Sequence, residues 1–141
     1  METSTDTQKS RFKTWATTIF VCAFLFVWLS GMTAGMMAGA CRKDHYEGAQ
    51  KLRFCNISLA AGAWMKFSTH ERAKGSRIEL ERGIALSQLG KVEQAVEAFE
   101  EALRNARAKP GPWEQLLHRR MVHMEDSNML ALWVSVIEAA N

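Results

Sequence analysis

Proline is scarce in this sequence of 141 residues, and neither positive nor negative charge is in large excess. The two prolines, Pro110 and Pro112, lie close together and no low-complexity tract occurs, so we expect most of the chain to be ordered. From Arg42 onward, 15 Lys and Arg residues accompany 13 Asp and Glu residues, a balance that argues against a nucleic-acid-binding protein. Val, Ile and Thr do not alternate in a strand pattern, whereas Ala, Leu, Glu, Lys and Arg dominate the second half. The sequence therefore predicts an all-α fold.

Closely spaced cysteines are missing as well. The three cysteines, Cys22, Cys41 and Cys55, form no C-x-x-C pair, and Cys22 lies in an apolar run. We therefore expect neither a structural disulfide nor a zinc site, and the cysteines do not identify the redox compartment.

Catalytic motifs are absent from the sequence. It contains no glycine-rich phosphate loop, no H-E-x-x-H and no G-x-S-x-G. His118 and His123 are five residues apart and do not share a helix face. The methionines of residues 121–129 could suggest a soft-metal site, but they fit buried filler between helices better. We predict that the protein is not an enzyme and needs no metal or cofactor.

One long apolar run is present near the start of the chain. Residues 14–41 carry no charged side chain. A helix over the 22 residues of 19–40 would be about 33 Å long, enough to cross the hydrocarbon core of a bilayer. The sequence thus predicts a polar tail over 1–18, a single transmembrane helix over 19–40 and a helical domain over 42–141.

Small residues recur along the second half of this run. They stand at i, i+3, i+4, i+7 and i+8 and so share one face of a helix: Gly31, Ala34, Gly35, Ala38 and Gly39. A face of small residues lets the backbone of another helix approach closely. We predict that this face packs against another membrane helix.

Cleavage of the apolar run is an alternative to retention. Ala38-Gly39-Ala40 fits a signal-peptidase site, and with Cys41 it resembles a loose bacterial lipobox. The length of the run favours a retained span, because secretory hydrophobic regions are usually about 7–15 residues long. Three basic residues precede the run and four follow it closely, so charge orients it only weakly. We expect the N-terminus inside and the helical domain outside, in the periplasm of a bacterium.

A helical hairpin is predicted in the middle of the remaining sequence. Ser76 and Glu79 have the spacing of a capping box, which predicts that a helix begins just after Ser76. Gly90 stands where that helix would end in a left-handed cap. A second helix, from Val92 to about Arg107, has apolar residues along one face.

This hairpin resembles a tetratricopeptide repeat, a helical hairpin of 34 residues. When Ser76 takes the first position, the positions that the family fills with small or large apolar residues are occupied as expected, by Gly83, Leu86, Ala95, Phe99 and Ala102. Glu79 and Arg82 depart from the pattern, since tryptophan and leucine are usual there. The resemblance implies that the small residues let the two helices close while the large ones fill the space beside them.

Frames of 34 residues divide the whole domain. The best repeat covers 76–109, and weaker copies cover 42–75 and 110–141. In the first copy we place Asn56 at the turn, because asparagine tolerates left-handed geometry. In the third, Pro112 suits a first helical turn. The resemblance implies a stack of about three hairpins.

The resemblance also implies a binding surface. Tetratricopeptide repeats typically bind proteins through the concave face lined by the first helix of each hairpin. The corresponding positions here are Arg77, Glu81, Ile84, Gln88, Gln115 and His118. Ile84 stands where members that clamp the C-terminal carboxylate of a chaperone have asparagine, which argues against a chaperone adaptor.

Three functions fit these expectations. The first is a membrane-anchored scaffold or assembly factor for a membrane or exported protein complex. The second is a small accessory subunit of a membrane complex, bound through the glycine-containing face. The third is a protein-import receptor of an organelle, although the long basic linker usual after its span is missing. The expected partners are another membrane protein or complex and a polypeptide held in the groove.

Overall fold

The computed structural model describes residues 4–124 and 126–141, with side chains from residue 13 onward. Within these residues the chain is all-α, as predicted, and contains no strand. The elements in chain order are α1 (Ser4–Cys41), α2 (Gly48–Ala61), a 3-10 turn (Ala63–Phe67), α3 (Thr69–Gln88), α4 (Val92–Arg107), α5 (Trp113–Val122) and α6 (Ser127–Ala139). The tail expected over 1–18 is helical from Ser4, and its first three residues lie outside the described part.

The helices pair as α1–α2, α3–α4 and α5–α6, and each pair packs on the next. The tightest association is within α3–α4, followed by α1–α2 and α2–α3. The third pair is held more lightly: α6 packs mainly on α4, α5 packs on both α3 and α4, and α5 and α6 contact each other less. The domain is therefore a stack of helical hairpins whose first member includes the end of the long apolar helix.

Helix α1 combines two environments. Within its segment Lys13–Cys41 an 18-residue stretch has a mean hydropathy of 2.0, and the segment is long and apolar enough to cross a membrane. Residues 13–29 are exposed along their whole circumference. Further along, Ala34 is 4 % exposed because α2 covers it, and the Ser58 hydroxyl donates to the Ala34 carbonyl over 3.0 Å. The end of α1 is thus part of the domain.

A disulfide joins Cys41 to Cys55, with 4.9 Å between the two Cα atoms. Our expectation of no structural disulfide was wrong. The sequence separation of 14 residues shows no motif, but α2 turns back along α1 and brings the two residues opposite each other. Both cysteines are fully buried beside Ile78, whereas Cys22 is a free, exposed thiol.

The α3–α4 hairpin is built around Gly83 and Phe99. The Phe99 ring is fully buried and lies against the Gly83 backbone, where a side chain on residue 83 would stand. Gly90 has φ 72°, so the predicted left-handed position at the end of the first helix is confirmed. Glycine suits this position because it has no Cβ to clash there.

Two local predictions were wrong. Helix α3 begins at Thr69, not after Ser76, and the Ser76 hydroxyl donates within the helix to the Ala73 carbonyl. Asn56 lies inside α2 and accepts a hydrogen bond from Arg82 Nε over 3.1 Å. Both errors have one cause. Helix α2 pairs with α1, whereas the repeat frame assumed a hairpin within residues 42–75. The frame 42–75 therefore contains α2, the 3-10 turn and the start of α3.

The last hairpin closes the core. Asp126 caps α6, because its Oδ1 accepts from the backbone N–H groups of Asn128 and Met129, each over 3.0 Å. The Trp133 ring lies edge-on to Phe99, with 5.8 Å between ring centroids. Methionines 121 and 129 are buried in the same core, which agrees with their predicted role as filler.

Candidate interaction groove

An open groove of about 680 Å³ runs along one side of the stack. Its main walls come from α1, α3 and α5, the first helix of each hairpin. We call it the α1–α3–α5 groove. Ser58 and Leu59 of α2, the 3-10 turn and Asn105 of α4 complete its lining.

The α1 wall consists of glycine backbone. A Cβ built on Gly31 or Gly35 would meet nothing within 4 Å, and both residues line the groove. Ala34 and Ala38 line its edge but also contact α2 and the disulfide cluster. The face of small residues that was predicted to pack against another helix therefore has two parts in different environments. Its alanines are largely occupied by this chain's own α2, whereas its glycines, Gly39 included, remain open.

The α3 and α5 walls carry mostly basic side chains. Around the groove stand seven Arg and Lys residues against two Glu residues: Arg42, Lys66, Arg72, Lys74, Arg77, Arg119 and Arg120 against Glu71 and Glu79. Glu79 is itself engaged, by Arg82 at 3.3 Å and Lys66 at 3.8 Å. Leu116, which is 45 % exposed, adds an apolar contact on α5. The groove thus offers positive charge around a partly apolar floor.

A buried ionic cluster fixes these walls in place. Glu81 of α3 is fully buried, 2.6 Å from Lys51 Nζ of α2 and 2.8 Å from Arg120 Nε of α5. Arg120 also pairs with Asp44, in the segment between α1 and α2. The hydrogen bonds that Arg120 donates to the Glu81 carboxylate raise the pKa of Arg120 above its ordinary value, against the opposing effect of burial. One carboxylate therefore joins all three hairpins.

The residues predicted to bind a partner are distributed differently. Of the six, only Arg77 lines the groove. The assignment was wrong for Glu81 and Ile84, because both are fully buried, the first in the ionic cluster and the second in the apolar core. Gln88 is exposed, and its Oε1 accepts from the Gly48 N–H at the start of α2 over 3.1 Å. Gln115 and His118 are exposed on α5 away from the groove lining.

Sequence reasoning missed the α5 wall and the link to α1. Leu116, Arg119, Arg120 and His123 follow a helical spacing of three and four residues, which is a recognisable signal for one face. It was passed over because the repeat frame began after the apolar helix. When the end of α1 is counted as the first helix of a hairpin, these α5 residues and the α1 glycines lie on the same side of the stack.

Metal ligands do not gather anywhere in the described part of the chain, where no three His, Cys, Asp or Glu side chains come together as a metal site requires. Comparison with protein-family models, with curated proteins and with solved structures gives no match.

Proposed function

We propose that this protein is a membrane-anchored interaction module that holds an α-helix of a membrane protein in the α1–α3–α5 groove. The observation that carries the proposal is that the open glycine backbone at Gly31 and Gly35 belongs to the same groove as the α3 and α5 walls. A partner helix can therefore pack against α1 and continue into the domain without changing direction. Glycine on a helix face lets the backbone of another helix approach closely, both within the bilayer and where α1 leaves it.

Charge specifies the part of the partner that leaves the membrane. The groove carries seven basic side chains against two acidic ones, so an acidic segment following an apolar helix fits it. In this proposal the domain resembles a short tetratricopeptide-type stack used as a scaffold or assembly factor. An accessory subunit of a membrane complex would use the same glycine backbone. The import-receptor alternative receives no support from the groove.

We place the domain on the non-cytoplasmic side of the membrane, which in a bacterium is the periplasm. The support is the Cys41–Cys55 disulfide, since such bonds persist in oxidising compartments and are rare in the cytosol. The same bond argues for retention of α1, because the Cys41 sulfur is occupied and cannot carry a lipid. Loss of α1 would also expose the surface of α2 that Ala34 and Ala38 cover.

Site-specific photo-crosslinking in native membranes tests the proposal. A photoreactive residue at Arg77, which lines the groove, should give a discrete crosslinked product whose partner peptide follows an apolar helix. The same residue at Glu97, exposed on α4, is the control and should give none. Adding Gly35→Leu should remove the Arg77 product, because leucine fills the open backbone surface.

Thr33→Leu is the matched control for Gly35→Leu. Thr33 is exposed on α1 outside the groove lining, so leucine there adds similar bulk and hydrophobicity without blocking the groove. The Arg77 product should survive in this variant. Equal loss in both variants, or survival in both, contradicts binding at the glycine backbone.

A further inference from the structure

We propose that the 3-10 turn Ala63–Phe67 is a second membrane contact, seated in the headgroup region of the bilayer beside α1. The proposal rests on the proposed function, since it takes α1 as a membrane anchor. It also sets the end of the hydrocarbon-embedded segment near Ser30, ten residues before the Ala40 boundary expected from hydropathy.

The turn is the part of the domain nearest the exposed, apolar portion of α1. Helix α2 runs back along α1, from the Cys41–Cys55 disulfide, past the Ser58–Ala34 hydrogen bond, to the 3-10 turn. There, Trp64 Nε1 donates to the Ser30 hydroxyl over 3.1 Å. This bond fixes the turn at the level of Ser30.

The side chains of the turn are those that favour a bilayer interface. Phe67 is 95 % exposed, the largest exposure among the large apolar residues of the described chain, and Trp64 is 41 % exposed. Lys66 lies between them and is exposed too. Tryptophan is enriched at membrane–water interfaces, and a lysine ammonium suits lipid phosphates. A nearly fully exposed phenylalanine has no other apolar cover within the described chain.

Charges beyond the turn limit how deep α1 can sit. Helix α3 starts at Thr69 and soon presents Glu71, Arg72 and Lys74, all adjacent to the turn. If the bilayer reached Ala40, these groups would lie at hydrocarbon depth, where ionised side chains are costly. A boundary near Ser30 keeps them in water.

The remaining apolar stretch is still long enough to span. Lys13 is the last charged residue before the run, and residues 14–30 provide 17 uncharged residues. Such a helix is about 25 Å long, at the short end of the range for transmembrane helices. The Ala63–Phe67 turn then lies where the hydrocarbon gives way to headgroups.

Spin-label depth measurements on the full chain test this placement. The protein carries Cys22→Ser, is reconstituted in vesicles of phosphatidylcholine and phosphatidylglycerol, and keeps its disulfide oxidised so that only an introduced cysteine is labelled. Phe67→Cys is the test position. Val92→Cys, at the start of α4 beyond the far end of α3 and 51 % exposed, is the matched control. Phe24→Cys, 62 % exposed on α1, reports whether α1 is in the bilayer at all.

The measurement compares collision with lipid-soluble oxygen and with an aqueous nickel complex. We expect the oxygen-to-nickel ratio at residue 67 to be several-fold above that at residue 92 and below that at residue 24. A lipid-like value at 24 with equal, water-like values at 67 and 92 overturns the interfacial contact while leaving the anchor intact. A water-like value at 24 overturns the anchor and the contact together. Circular dichroism verifies that each sample is folded. The chain that carries Cys22→Ser but no introduced cysteine should take up no label, which verifies that its disulfide is intact.

Discussion

Phe99 occupies the space that a side chain on Gly83 would need. A Cβ built on Gly83 would overlap the Phe99 ring at Cε1 and Cδ1 and stand 3.2 Å from Cζ. Because α3 and α4 approach each other closely at this contact, the glycine is required by packing. Its backbone is helical and does not need left-handed freedom.

Gly83→Ala should therefore destabilise the protein, although alanine is the better helix former. Overpacking typically costs about 1–3 kcal/mol, more than the roughly 0.5–1 kcal/mol that alanine gains over glycine in a helix. Gly75→Ala is the control on the same helix, because a Cβ there meets nothing within 4 Å. It should raise the free energy of unfolding. Denaturant titration followed by circular dichroism measures both, and two changes of the same sign would contradict the packing argument.

The buried pair of Lys51 and Glu81 should show strong coupling. Glu81→Leu leaves the Lys51 ammonium, 2 % exposed, without its carboxylate, and breaking a buried pair in this way costs about 3–5 kcal/mol. Adding Lys51→Met should recover much of that loss, since apolar replacements of buried pairs are often neutral. Urea unfolding of the wild type, both single variants and the double variant gives the coupling energy. Additive losses would mean that the two charges act independently.

Reduction of the Cys41–Cys55 disulfide should loosen the α1–α2 hairpin. Closing a loop of about 15 residues stabilises a protein by roughly 3 kcal/mol in the chain-entropy description. The double substitution Cys41→Ala and Cys55→Ala should lower the melting temperature in detergent by several degrees and make it insensitive to dithiothreitol. Cys22→Ala should melt like the wild type, because Cys22 is free and exposed. A reductant-insensitive wild type would contradict a structural bond.

The ion pair between Arg107 and Glu114 should give a small loss of stability in acid. Arg107 donates to both Glu114 oxygens, over 3.1 and 3.0 Å, and these hydrogen bonds hold the pKa of Glu114 below its ordinary value. A carboxylate whose pKa is lowered on folding stabilises the protein above its unfolded pKa of about 4.3. That contribution disappears as the pH falls through the folded value.

Both partners of this pair are partly exposed, so the effect should stay below about 1 kcal/mol. Glu114→Gln should lower the free energy of unfolding at pH 7 and match the wild type near pH 3. Glu97→Gln, which replaces an exposed carboxylate on α4, should change little at either pH. A difference between Glu114→Gln and wild type that grows in acid would reverse the assigned sign.

The sequence predicted the elements that depend on local pattern. The all-α class, the apolar helix and the turn at Gly90 follow from composition, run length and glycine chemistry. The pairing of α2 with α1 was not predictable in the same way, because no local pattern in residues 48–61 identifies the helix that they pack against. The errors at Ser76, Asn56 and the cysteines all come from that one missing contact.

The candidate groove was only partly predictable for a related reason. Arg77 lies on the exposed side of a helix with a clear periodicity and lines the groove, while its role in binding stays a prediction. Glu81 looks like a surface residue in the sequence, and its burial depends on Lys51 and Arg120 arriving from two other helices. Long-range ion pairs of this kind leave no local signal.

Helix α1 is both the apolar segment and the first wall of the groove, with no linker between the two roles. A domain on a flexible tether samples many orientations, whereas this one is clamped to its anchor by the disulfide and the Trp64–Ser30 hydrogen bond. Any tilt that bilayer thickness imposes on α1 must swing the whole domain through the same angle. In the proposed membrane placement, the domain therefore reorients as one body with α1, and the thickness of the surrounding lipid sets the direction in which its groove faces.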